Sequence, residues 1–484
     1  MNNDNQHELD QKNQSSNSGI PNDELIESSE LITSPLDVDK EQVLPLDEPE
    51  QSLNTVEQLG LPQKWLRNFL PMGIGQILSM LGSSLVQFAL VWYITKETGS
   101  AISLLSATLT GTLPRVILGP FAGALVDRWN RKLTMIISDG IIALATLVLA
   151  ILFATGQIQV WHIFAMLFVR SVGSIFQGPA MSASISLMIP KEHYTRYAGI
   201  SQAADGIITI VSPPLGALLM AYLPIQAVLA IDTLTAAIAI ALLAFLVYVP
   251  QPVKEAAETL KMSVKSVFSD VRDGFKYVIE WKGVFLLMIG GTLINMTASP
   301  AFSLLPLYVE QHFQKGPEGL AWLYSAFGIG SIVGGLVLGV WGGFKRKVFT
   351  VMMGIMGMGV GMFVLGLVPQ KAYGVAVALT AFLGVMTAFA NGPLNAIVQE
   401  KIPNELQGRV FTVLGSLVQA TVPLGLIVAA PIAELFGISI WFSVGGVVGV
   451  LIAILGLVLK PLRTLDFQGP GGFILPEYQD RVKQ

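Results

Sequence analysis

From about residue 68 onward the chain repeats one pattern twelve times: a run of some twenty or more apolar residues, then a polar break. The runs fall at about 68–94, 101–126, 133–155, 161–189, 197–223, 225–249, 284–309, 318–342, 348–369, 372–399, 408–434 and 438–459. Crossing a hydrocarbon core takes roughly 20 residues of helix, and no water is available there for an unpaired backbone group. Each run is therefore predicted to be a transmembrane helix, giving an all-α membrane protein. A β-barrel needs shorter segments of alternating polarity, and these are too long and too uniformly apolar. Residues 1–60 break the pattern, with fourteen Asp or Glu against two Lys and too few apolar residues to form a core. They are expected to be a disordered acidic tail. They lack the basic start and apolar centre of a signal peptide. Residues 461–484 form a second polar tail.

The polar breaks alternate in charge. The even-numbered ones and both flanks hold twenty-two Lys and Arg, whereas the odd-numbered ones hold only Lys96, Lys315 and Lys371. Positive-inside bias then places both termini in the cytoplasm, as an even number of spans also requires. The longest break, 251–283, separates a first bundle (61–250) from a second (284–460). Its second part sets Val264, Phe268, Val271, Phe275 and Val278 at helical spacing, with Lys265, Arg272 and Lys276 off that line. This reads as an amphipathic helix on the inner membrane surface, with a plain linker as the alternative.

The two bundles also repeat in sequence. Gly178-Pro179 recurs as Gly392-Pro393, Ile189-Pro190 as Ile402-Pro403, and WNRK (129–132) as FKRK (344–347), at offsets of 213 to 215 residues. A constant offset predicts two pseudo-symmetric six-helix units. In such folds the substrate path lies between the halves, and alternating access is a rocking of one half against the other.

Composition narrows the function. Hydrophobic residues make up 52% of the chain and charged residues 13%, against about 25% charged in soluble domains. There is no cysteine, so disulfides, thiol catalysis and Cys-based metal sites are excluded. His7, His162, His193 and His312 form no HxxxH or HExxH pair, and no metal site is expected. With no P-loop, no GxGxxG opening a helix and no GxSxG, nothing argues for an enzyme or for ATP bound to this chain.

Between the second and third spans lies GALVDRWNRK, Gly123 to Lys132. It resembles the loop signature of the major facilitator superfamily, G-x-L-x-D-R-x-G-R-K. Gly123 would let two helices approach closely, and Asp127 would end a helix in reach of the backbone donors of a neighbouring segment. Arg128, Arg131 and Lys132 would stay in the basic inner leaflet. The turn is expected to act as a charge-assisted latch that breaks when the halves rock. The competing reading is a purely topogenic loop, but orientation needs no acid. Asn130 stands where the signature has glycine; asparagine also tolerates a left-handed backbone, so the turn is expected to survive. In the second half Gly342 replaces the acid, so only the first copy fits the latch.

RSVGSIFQGPAMSA, YAGISQAADGIITIVSPPLGALL, AIDTL and EKIPNELQGRVFTVLGS are similar to the macrolide-efflux branch of that superfamily, which also resembles siderophore and multidrug exporters. The resemblance covers about 61–460. It implies the major facilitator fold and proton-driven export of a lipophilic or amphipathic compound, with the proton as coupling ion and no other cofactor. SPPLG (212–216) is similar to the antiporter motif G-P-x-x-G, with Ser212 in place of the first glycine.

Five charges sit within the spans: Arg115, Asp139, Arg170, Asp205 and Asp232, all in the first half. Each costs at least about 2.5–3.5 kcal/mol at mid-bilayer unless it is paired or faces a cavity. Arg170 with Asp205 is the expected pair, because spans four and five enclose the cavity in this superfamily; Arg170 also matches the family's proton-coupling arginine. The five are expected to serve proton coupling, with Asp205 and Asp232 as proton carriers or static helix glue and Arg115 with Asp205 as a coupled pair or a mark of a different substrate preference; the alternative for Asp139, near the basic inner loop, is simple pairing with that loop. Candidate cavity residues are Gln76, Gln87, Gln177, Gln202, Asn295, Asn391 and Asn395, with Phe88, Trp92, Phe176, Phe302 and Met296; each also fits ordinary helix packing. Pro179, Pro213, Pro214, Gly216 and Pro393 are expected to bend helices.

The expected protein is thus a monomeric, twelve-span exporter in the cytoplasmic membrane. Its partners would be an amphipathic small molecule and membrane lipid, with no nucleic acid. Alternatives are a siderophore exporter, or a membrane-anchored scaffold or sensor that transports nothing.

Overall fold

A computed structural model describes residues 65–126, 129–249, 275, 279, 281–402 and 404–465. Twelve helices among them are long and apolar enough to cross a membrane. In chain order they are α1 (Trp65–Thr98), α2 (Ala101–Val126), α3 (Arg131–Ala154), α4 (Val160–Met188), α5 (Tyr194–Tyr222) and α6 (Ile225–Leu246). The second set is α7 (Lys282–Leu307), α8 (Pro317–Trp341), α9 (Lys347–Leu367), α10 (Tyr373–Lys401), α11 (Asn404–Phe436) and α12 (Ile438–Val458). These bounds follow the hydropathy pattern to within a few residues. The acidic tail, nearly all of the 251–283 linker and residues 466–484 lie outside the described residues, and so do the expectations made for them.

Local chemistry sets several of the ends. Pro317 opens α8, where its missing N–H costs nothing. Gly342 closes that helix at φ +76°, the left-handed geometry glycine adopts without strain. Asn130 opens α3 by accepting the Leu133 amide on its side chain at 3.0 Å. Its φ of −66° is extended, so the left-handed turn expected there is not what forms. Asparagine replaces glycine at this point as a helix cap.

The internal repeat is visible in the packing. In the first half α1 packs against α5 and α6, α3 against α4 and α6, and α2 against α4. In the second half α7 packs against α11 and α12, α9 against α10 and α12, and α8 against α10, the same scheme six helices on. Across the halves α5 meets α8 and α2 meets α11, again a symmetric pair. Arg131, Lys132, Arg346 and Lys347 mark one end of the bundle as the basic end, opposite the far end.

The two halves cohere by different means. The second is drawn together backbone to backbone: a Cβ on Gly384 of α10 would lie 2.1 Å from the Phe327 carbonyl oxygen of α8, and one on Gly359 of α9 would lie 2.6 Å from the Val450 nitrogen of α12. Without a hydrophobic drive between helices in lipid, such close approach supplies the van der Waals and Cα–H contacts that hold them. The first half instead carries buried polar groups.

Candidate functional site

Three helices of the first half each place polar side chains seven residues apart: Gln76 and Ser83 on α1, Asp139 and Thr146 on α3, Arg170 and Gln177 on α4. Seven residues are two helical turns, about 10 Å along one face. The residues therefore meet in two layers. In the layer nearer the basic end, Gln76 donates to Asp139 Oδ2 at 3.1 Å. Gln177 donates to Gln76 Oε1 at 2.9 Å and also to Asp139 Oδ1. In the other layer α6 adds Asp232. Arg170 Nη1 lies 2.8 Å from Asp232 Oδ2. Thr146 donates to the same oxygen at 2.9 Å, and Ser83 donates to Oδ1 at 3.1 Å. The Asp232 side chain is fully buried and that of Arg170 is 10% exposed. Gly82 on α1 keeps this layer tight, since a Cβ there would fall 3.0 Å from Asp232 Oδ1.

This corrects the pairing read from sequence. Arg170 binds Asp232, not Asp205. Asp205 is exposed and makes no side-chain hydrogen bond or ion pair among the described residues. Asp139 is held by two glutamines, not by the basic loop. Arg115 is exposed and reaches only Ser174 Oγ, at 3.4 Å.

Between the halves lies a cavity of about 460 Å³ lined by α1, α2, α5, α7 and α8. Of the expected cavity residues, Gln87, Phe88 and Phe302 line it. Gln76 and Gln177 belong to the buried layer instead, and α4 does not reach the cavity. Trp92 is core, and Phe176 lines a groove of about 570 Å³ beside Trp129, between α3 and α4. Gly425 packs against the Met296 backbone. Asn295 donates to the Gly291 carbonyl, one turn from the lining residue Ser299. Gln202, Asn391 and Asn395 are exposed and do not line the cavity. The sequence reading missed the hydroxyls of Ser84, Thr108, Ser299 and Ser303, and the rings of Tyr324 and Phe327. No charged side chain is among the described lining residues. Of the expected bending residues, all four prolines lie inside continuous helices. Gly216 makes room for packing: a Cβ there would fall 2.8 Å from the Phe88 ring, so its absence lets that ring approach α5 closely.

Hydrogen bonds between described residues of the two halves lie at the far end or, for one, near the middle of α5. Glu434 of α11 accepts the Ala101 amide at 3.1 Å and the Ser100 hydroxyl at 3.4 Å, capping the start of α2 with a carboxylate where the helix dipole favours one. Gln311 donates to the Gly99 carbonyl at 2.7 Å, and Ser325 of α8 donates to the Ile210 carbonyl of α5 at 3.2 Å. Toward the basic end, Asp205 lies one turn from Thr209 and Arg115 two turns from Thr108, on the cavity faces of α5 and α2, and both are exposed. The halves are thus clasped at the far end.

At the basic end, Asp127 and Arg128 of the expected latch lie outside the described residues. Arg131 donates to the Ala183 carbonyl, and Lys132 to those of Ala244 and Val247, at 2.8 to 2.9 Å. These bonds tie α3 to α4 and α6 within one half. Gly123 has open space where a Cβ would stand, so it mediates no close helix approach here.

The family model for the Major Facilitator Superfamily matches residues 72–420, with a second match over 287–470. The chain is 34% identical over 404 residues to Macrolide efflux protein A of Streptococcus pyogenes, covering 84% of this chain and 98% of that one. It is 35% identical over 328 residues to the protein of the same name from Enterococcus faecalis, covering 68% of this chain and all of that one. Among solved structures, a bacterial homologue of the iron transporter ferroportin, in an inward-facing state, is similar with a TM-score of 0.61 at 12% identity, over 83% of this chain and 99% of that one. That likeness is one of fold.

Proposed function

The chain belongs to the Major Facilitator Superfamily and is a multi-pass membrane efflux transporter of a small molecule, not an enzyme; from that premise we propose that it exports a macrolide-like or other amphipathic compound in exchange for protons. The observation that carries the coupling is the Arg170–Asp232 pair, sealed inside an apolar bundle. A buried pair is tolerated while both charges are present. Protonating Asp232 leaves a guanidinium without its counter-charge, and the helices must then move to hydrate it or pair it again. Asp139, balanced by no cation among the described residues, is a second place for a proton.

With the basic end in the cytoplasm, as positive-inside bias requires, the clasped far end faces outward and this is the inward-facing state. Cargo enters from the cytoplasm or inner leaflet and rests in the cavity. The far-end clasp then opens as the basic end closes. Aromatic rings with neutral polar groups suit a large, partly apolar cargo. The described wall of the cavity carries no charge, Arg115 and Asp205 lying nearer the basic end, and this favours a macrolide-like compound over a siderophore, whose metal-binding groups are anionic. The cavity itself argues against a scaffold with no transport role.

The test uses purified protein in inside-out vesicles carrying an imposed proton gradient, offered a macrolide, a tetracycline and a siderophore. The macrolide is expected to accumulate and to dissipate the gradient as it does so. Accumulation that persists undiminished after a protonophore collapses the gradient would remove the proton from the account.

A further inference from the structure

Half of the residues lining the cavity carry a hydroxyl. In lipid, a serine or threonine on a helix ordinarily returns its hydrogen bond to its own backbone one turn back. Thr108 does so to Leu104 at 3.2 Å, and Thr209 to Asp205 at 2.8 Å. Ser212 does not. It lines the cavity, is 3% exposed, and its Oγ has no hydrogen-bond partner. A buried hydroxyl left unpaired is costly, and in a native protein it calls for a partner.

The residues beside it supply the matching half. Pro213 has no N–H, so the Thr209 carbonyl loses its helical donor, and Pro214 frees the Ile210 carbonyl in the same way. Ser325 from the other half takes up the Ile210 carbonyl. No side chain takes up the Thr209 carbonyl among the described residues. Thr209 and Ser212 are three residues apart, neighbours on one helix face, and both line the cavity. One spot on the wall thus offers an unspent donor beside a carbonyl that has lost its usual helical donor.

We propose that Ser212 Oγ and the Thr209 carbonyl together hold a hydroxyl group of the cargo, which accepts from the first and donates to the second. An alcohol or sugar hydroxyl does both at once; a ketone or ether oxygen only accepts. The favoured cargo is therefore a hydroxylated amphiphile, and Ser212 is a specificity-determining residue. This rests on the cavity being the cargo site, as proposed above.

The test measures equilibrium binding to the purified full chain in detergent, using a macrolide and a series of analogues with one hydroxyl at a time removed or O-methylated. In the unaltered protein one analogue is expected to bind roughly 10- to 100-fold more weakly than the parent. In Ser212→Ala that difference should vanish, with the parent falling to the level of the analogue. Ser212→Ala should also melt no lower than the unaltered protein when unliganded, since it deletes an unpaired buried hydroxyl; a purely structural serine would lower the melting temperature. Ser212→Ala retaining the full discrimination would overturn the proposal. If the unaltered protein binds no macrolide, the cargo reading fails, and an alkyl glucoside series treated in the same way carries the Ser212 test. Equal affinity for every member of that series would overturn the proposal too.

Discussion

The double replacement Arg170→Met with Asp232→Leu is expected to give a folded, membrane-inserted protein that no longer moves cargo against its gradient. Either single replacement is expected to lose most of its folded yield. Removing one partner of a buried ion pair leaves an uncompensated charge and costs about 3–5 kcal/mol, whereas exchanging both for apolar residues of similar size is often neutral or stabilising. Of the two hydroxyls on Asp232, Thr146 also donates to its own Ile142 carbonyl and keeps a partner when Asp232 is gone, and Ser83, which loses its partner, is only half-buried. Size-exclusion profiles of detergent extracts report folding, and drug accumulation in cells reports transport. This pair of measurements separates the two roles a buried acid can play. If Asp232 were only glue, the double variant would transport as well as the unaltered protein.

Gly384→Ala is expected to be among the most damaging single-methyl additions in the chain. Its Cβ would stand 2.1 Å from the Phe327 carbonyl oxygen and 2.7 Å from the Ser331 nitrogen. These are backbone atoms of a helix already touching, so no side chain can swing aside. Overpacking a core costs about 1–3 kcal/mol where side chains can adjust, and here α8 and α10 must separate. The melting temperature is expected to fall sharply and Gly384→Leu to leave no folded protein. Gly335→Ala on α8, where nothing lies within 4 Å, is the matched control and should melt as the unaltered protein does. Equal melting of the two alanine variants would contradict the seam described.

The twelve spans, the twofold repeat of six helices and the family were legible because lipid imposes length and polarity one helix at a time, and each helix writes them into its own stretch of sequence. The site was legible only in part. Which acid meets Arg170 depends on how α5 and α6 are rotated about their axes, and hydropathy carries no such phase. A signal was nonetheless present. Polar residues seven apart in three otherwise apolar spans, Gln76 with Ser83, Asp139 with Thr146 and Arg170 with Gln177, mark one face of each helix and predict layers. Asp205 falls instead in phase with Thr209 and Ser212, the cavity face of α5. The lining hydroxyls were not legible, because a serine that satisfies its own backbone and one that awaits a ligand look alike in sequence.

Rocking of the halves, whose far end is closed in this state, is tested most directly by pinning the α5–α8 contact that joins them midway along both helices. A Cβ on Gly328 would lie 3.6 Å from Ile210 Cβ, inside the roughly 3.5–4.5 Å range of disulfides, and the chain has no cysteine to interfere. In the double variant Ile210→Cys with Gly328→Cys, oxidation should link α5 to α8 and stop transport, and reduction should restore it. Transport at the full rate by the fully cross-linked protein would contradict the account.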